Sequence, residues 1–331
     1  MSNLLLFGAT GQIGSFIVDA IVSARDKFGR VAIFTSACTA ATKAAYLDKL
    51  KQHNVEIIVG DLEDESAVTA SYEGTYLLLV VGPDDKMTGT GIDTVISALG
   101  RNALAQQIPL IRLAAASPSV KWFLPSEYGT DIAYGPASAH EKPHQQKLKV
   151  RAFLENETSR QDLEYSYVVT GPFAEMYLHL LPGLEEAGGW DVQGRRAVLL
   201  GDKGTEKVSL TTMKDVGTLV LYTLLNATPE TRNRPLCVNS FTTSPNEIQA
   251  EFERQTGQWS SVSHTPLARL RELEASAWEA GNGAATVLTL RRIWTEGGTL
   301  YDQRANGLIG EPKVASLEEV VASEVRRVSS L

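Results

Sequence analysis

The chain has 331 residues, of which 43% are hydrophobic and 21% charged, with a net charge of −8. A chain of this length and balance folds without disulfide or metal staples and is neither disordered nor fibrous. Its acidity argues against nucleic acid as the main partner, because affinity there comes from Lys and Arg on phosphates. Cys38 and Cys237 are too far apart for a metal or CxxC pair and read as two reduced, buried thiols, so no metal is expected. No apolar run approaches the roughly 18 residues of a membrane span, and residues 1–11 lack the basic start of a secretory leader. The expectation is a cytoplasmic protein with no membrane partner.

In chain order, residues 3–7 form an apolar run that stops at glycine. Residues 12–24 then carry Ile13, Phe16, Ile17, Ala20 and Ile21 at helical spacing. The alternation continues with a strand at 31–34, a helix at 41–53, a strand at 55–59 and a helix at 63–72. Strands at 93–99, 121–124 and 165–170 follow, separated by helices at 102–116 and 142–158. Alternation of this kind predicts an α/β fold with a doubly wound parallel sheet of Rossmann type over residues 1–170.

Residues 75–91 interrupt the pattern. They include a strand-like run at 76–81 that competes with 93–99, and they exceed the roughly 2–6 residues usual for such a connection. Residues 93–99 are taken as the fourth strand and 75–91 as an insertion. After Gly171 and Pro172 the alternation turns irregular, with strands at 197–200, 208–210 and 236–239 and helices at 213–225, 245–255 and 267–280. Residues 171–331 are therefore read as a smaller C-terminal α/β lobe that binds substrate, part of which can return to the Rossmann sheet.

Gly8, Gly11 and Gly14, with Thr10, Gln12 and Ile13 between them, make a GxxGxxG turn from the first strand into the first helix. Glycine there permits a tight turn, a close approach to a pyrophosphate and close packing of helix on strand, while the helix N-terminus offers unpaired N–H groups. After the second strand, Thr35 and Ser36 stand where an acid would select NAD; together with Lys43 they favour NADP(H), although Lys43 could equally be a solvated lysine. Asp61 either borders the adenine or caps the next helix. Ala98, Leu99, Gly100 and Ser126 end neighbouring strands at the edge where ligands bind; Ser126 could equally cap a turn. Gly171, Pro172 and Phe173 would border the nicotinamide, and Met176 and Tyr177 either form an apolar wall or belong to the core.

The stretch Pro125-Ser126-Glu127-Tyr128-Gly129, together with the opening Gly8-Ala9-Thr10-Gly11-Gln12-Ile13-Gly14, resembles the NmrA-like branch of atypical short-chain dehydrogenases. That branch includes isoflavone reductases and phenylcoumaran benzylic ether reductases, and the likeness is greatest to fungal isoflavone-reductase-like proteins. It continues through residues 141–151, 210–217, 238–241 and 290–294, covering nearly the whole chain except 75–91. The resemblance implies a catalytic lysine at Lys147, four residues before Arg151, with Lys149 as the fallback register. Pro143 stands where a typical short-chain dehydrogenase has tyrosine, so acid–base work would fall to Lys147. Tyr128 and His144 are candidate substrate contacts, although a lone histidine is more often structural. The implied function is NADPH-dependent reduction of a small aromatic metabolite by a monomer or homodimer. The alternatives are a dinucleotide-binding regulator of NmrA type and a redox-neutral isomerase.

Overall fold

The computed structural model describes residues 1–74, 91–158 and 162–329. The first half of the chain alternates regularly: β1 (Leu4–Phe7), α1 (Gln12–Ser23), β2 (Val31–Thr35), α2 (Ala37–Thr42), α3 (Ala44–Gln52), β3 (Glu56–Val59), α4 (Glu65–Glu73), β4 (Thr94–Ser97), α5 (Gln107–Ala116), β5 (Trp122–Leu124), α6 (Gln145–Thr158) and β6 (Glu164–Val169). The second half holds α7 (Ala174–Leu178), β7 (Gly189–Asp191), β8 (Arg196–Leu200), β9 (Val208–Leu210), α8 (Met213–Leu225), β10 (Arg234–Cys237), β11 (Phe241–Thr243), α9 (Pro245–Thr256), β12 (Ser261–Thr265), α10 (Leu267–Glu279), α11 (Ala285–Thr295) and α12 (Leu317–Ser329).

Seven strands form one parallel sheet in the order β10-β6-β5-β4-β1-β2-β3. The two-residue period of a strand divides β1 between both faces: Leu4 and Leu6 enter one core, Leu5 and Phe7 the other. Ile17 and Ile21 of α1 and Leu219 and Val220 of α8 cover the first face. Tyr72 of α4, Leu110 of α5 and Leu154 of α6 cover the second. The chain is thus a doubly wound Rossmann-type α/β fold, as the alternation predicts.

Two elements from the second half complete the sheet. β10 pairs with β6, and α8 lies against α1 because Gly217 has no side chain; a Cβ there would overlap the carbonyl of Phe16. The remainder forms two small sheets, β12-β8-β7 and β11-β9, over cores built around Trp190, Phe252 and Leu270.

Some local expectations shift. The helix expected at 41–53 starts earlier, where Ser36 accepts from the Thr39 N–H, and divides at Lys43. α4 is capped by Asp64, which accepts from Ser66 and Ala67, whereas Asp61 accepts from Glu63 one turn earlier. The strand expected at 236–239 runs from Arg234 to Cys237. Cys38 is exposed rather than buried, because α2 buries none of its residues, and Cys237 is half-buried. β4 falls within 93–99 and pairs with β1, while the 76–81 run lies outside the described residues. Among the described residues no helix is long and apolar enough to cross a membrane.

Candidate functional site

The site lies at the C-terminal ends of the central strands. Gly8 turns the chain at φ +73°, a left-handed conformation that favours glycine, and a Cβ on it would strike the carbonyl of Ala98. A Cβ on Gly14 would overlap the Gly8 carbonyl, so α1 starts hard against β1. Gly11 is exposed between them, and no side chain caps α1, which leaves its first N–H groups free for an anion. The Thr10 carbonyl accepts a hydrogen bond from the Lys43 ammonium. Ser36 and Asp61 stand exposed beyond the ends of β2 and β3, and Thr35 is buried at the end of β2. Thr35, Ser36, Asp61 and Lys43 lie outside the main cavity.

That cavity, of about 360 Å³, opens between the glycine loop and the second half of the chain. Gly11, Gln12 and Ile13 form one wall with Ala98, Leu99 and Gly100. Ser126 ties the wall together: its N–H donates to Gln107 Oε1 at 2.7 Å and its hydroxyl to the Leu99 carbonyl at 2.9 Å. Gly171, Pro172, Phe173 and Met176 line the opposite side. Tyr128 and His144 also line the cavity, each with a buried polar atom, the Tyr128 hydroxyl and His144 Nε2, that has no hydrogen-bond partner among the described residues.

Lys147 enters this cavity from α6, whereas Lys149 faces solvent. Its Nζ lies 3.6 Å from Oε2 of the fully buried Glu127 and close over Gly129. Arg151, one turn along α6, grips Glu127 through Nε at 3.2 Å and Nη2 at 3.0 Å. Burial drives the Lys147 pKa below that of a free lysine; Glu127 opposes the shift, while Arg151 and Arg101 reinforce it. Burial also lowers the His144 pKa. Its Nδ1 lies 3.1 Å from the Ser138 carbonyl, a partner that only accepts, so Nδ1 carries the hydrogen and Nε2 is left as an acceptor.

Tyr177 corrects the expected apolar wall. It is buried beneath Arg291, against Trp190 and Trp294, on the core side of α7 rather than in the cavity. Met176, its neighbour on the helix, is exposed at the cavity. Arg291 is fully buried without a carboxylate partner among the described residues, and burial lowers its pKa to about 10. It donates to the carbonyls of Tyr177 and Met176 at 2.8 and 3.1 Å, fixing α7 from behind.

Sequence reasoning missed Arg101, Leu104, Thr130, Ile132, Leu290 and Trp294 in the lining, and Glu127 behind it. Thr130 accepts from Trp294 Nε1 at 2.7 Å across 164 positions of sequence, a pairing that no local pattern signals. Glu127 was discoverable: it is the acid of the Ser126-Glu127-Tyr128 stretch, one residue before a cavity-lining tyrosine. Among the described residues no cluster of His, Cys, Asp and Glu is arranged to hold a metal ion.

The profile of the NmrA-like family matches residues 1–324. An isoflavone reductase homolog from Solanum tuberosum is 31% identical over 78% of this chain and 75% of its own length. Oxidoreductase aprR of Aspergillus flavus is 28% identical over 97% of this chain and 98% of its own. Among solved structures, the binary complex of leucoanthocyanidin reductase with NADPH from Vitis vinifera shares the fold at TM-score 0.74. It is 19% identical and covers 98% of this chain and 100% of its own.

Proposed function

The chain belongs to the NmrA-like family, and from that premise we propose that it is an NADPH-dependent reductase of a small aromatic metabolite, with Lys147 as the proton donor. The observation that carries this reading is the position of Lys147, which brings a desolvated ammonium into a cavity that also contains the glycine loop. The residues fit a dinucleotide. Gly8 and Gly14 hold the loop against the strands, exposed Gly11 leaves room for a pyrophosphate, and the uncapped N-terminus of α1 faces it. No acid follows β2 to contact the 2′-hydroxyl of NAD, while Lys43 stands at the mouth of the loop, where it favours a 2′-phosphate.

When bound, the cofactor supplies a hydride. The chain's own residues then do three things. Phe173, Met176, Leu290 and Trp294 exclude water and seat an apolar ring. Lys147 delivers a proton to the oxygen on which negative charge develops, its lowered pKa easing the transfer. Glu127, shared with Arg151, holds the Lys147 ammonium in place and opposes early loss of its proton.

Calorimetric titration with NADPH and NADH, followed by oxidation assays with enones, benzylic ethers and quinones, tests the reading. Tighter NADPH binding and turnover of at least one class support it. Equal or stronger NADH binding overturns the cofactor assignment. NADPH binding without oxidation across the panel favours a regulator or a redox-neutral enzyme.

A further inference from the structure

Resting on the reductase reading, we infer that Arg101 makes this cavity specific for a carboxylate-bearing substrate, the guanidinium taking the acid group while Lys147 serves the reacting oxygen. Arg101 and Lys147 are the only formally charged side chains among the described residues that line the cavity, and no Asp or Glu lines it. The nearest acid, Glu127, lies behind Lys147 and is already gripped by Arg151 through two nitrogens. Arg101 itself has no hydrogen bond or ion pair with any described residue, and partial burial weakens its hold on its proton with no carboxylate to compensate.

Arg101 is exposed at the rim of the cavity, and its planar fork matches a carboxylate through two parallel hydrogen bonds. Both cations line the cavity, and the turn that opens at Arg101 packs against α6, the helix that carries Lys147. Ile132, Met176, Leu290 and Trp294 make another part of the lining apolar. A ligand with an acid at one end and a flat ring at the other fits that division. A cofactor phosphate is the competing acceptor for the same guanidinium, and the test separates the two.

The probes are 4-hydroxycinnamate and its amide, matched in shape and hydroxyl and differing in charge. Each is titrated calorimetrically into the protein with and without saturating NADPH. The expected result is at least tenfold tighter binding of the acid, a preference that Arg101→Gln removes while the Kd for NADPH changes less than twofold. Arg101→Lys should restore part of the preference. Because Arg101 is exposed at the rim, both variants should keep the wild-type melting temperature. An unchanged acid preference in Arg101→Gln, with NADPH weakened tenfold, overturns the inference and assigns the guanidinium to a cofactor phosphate. Equal binding of acid and amide by the wild type, or no binding of either, also overturns it. Loss of NADPH binding by the wild type with acid preference intact sinks the reductase reading alone.

Discussion

The two walls of the cavity are built by different means. One is backbone: Gly11 with Ala98 and Gly100, held by Gly8 and Gly14 behind them, where a Cβ would strike the Ala98 or the Gly8 carbonyl. The other is side chains, Met176, Leu290 and Trp294, held from behind by Arg291 on the α7 carbonyls and by Thr130 on Trp294. A backbone wall suits a ligand that never changes, since nearly every substitution closes it. A side-chain wall can be recut for a new substrate while the sheet beneath stays as it is.

Substitution of Gly14 by valine should have the largest effect, because its side chain must displace the Gly8 carbonyl. NADPH binding should become undetectable by titration, and a Gly14→Val protein that still binds would refute a wall set by backbone contact. Lys147→Ala should lower turnover by about 10²–10⁴ with little change in NADPH affinity. If Lys149→Ala gives the loss instead, the register along α6 is wrong.

Glu127→Gln should destabilise the protein by about 1–3 kcal/mol, since buried Arg151 loses its closer carboxylate and keeps only Asp131 at 3.5 Å. It should also move the pH profile. Lys147 donates its proton, so activity falls as pH rises through its pKa, and burial sets that fall below the value of about 10.4 for a free lysine. Removing the Glu127 anion removes the main force holding the proton on, so the fall moves to lower pH; an upward move would uncouple the two residues. Arg291→Met should raise the substrate KM several-fold and leave the NADPH Kd within twofold, confining the effect to the side-chain wall. A parallel loss of NADPH affinity would mean that the two walls are not independent.

The smallest effect is expected from removal of residues 75–90. The Ile92 N–H donates to the Tyr72 carbonyl at 2.7 Å, and Gly74 already adopts a left-handed conformation, so the chain on either side meets without them. The joined sequence Tyr72-Glu73-Gly74-Gly91-Ile92 would close the end of α4 with that 5→1 bond. Unchanged melting temperature and NADPH affinity are expected; insolubility would show the segment to be integral.

The sequence disclosed the backbone wall because its code is local: glycine spacing, strand end and helix start all fall within residues 4–23. Lys147 was legible through the family resemblance and the spacing to Arg151. The side-chain wall was not, because Trp294 meets Thr130, and Arg291 meets Tyr177, across more than a hundred positions. Tyr177 and Met176 show the limit. Both read as apolar wall candidates, and only the direction in which α7 is turned sends one into the core and the other to the cavity.

The order of strands in the sheet also bears on synthesis. β6 ends at Val169, but its outer edge and the outer face of α1 remain uncovered until α8 and β10 have been made. At about 5–20 residues per second, the nascent chain carries a bare strand edge and an apolar helix face for several seconds, and longer while the ribosome shields its last segment. A fragment ending near residue 170 should therefore aggregate on release rather than fold alone. Slow codons between residues 170 and 237 would be expected to lower yield of soluble protein more than the same codons placed after 270.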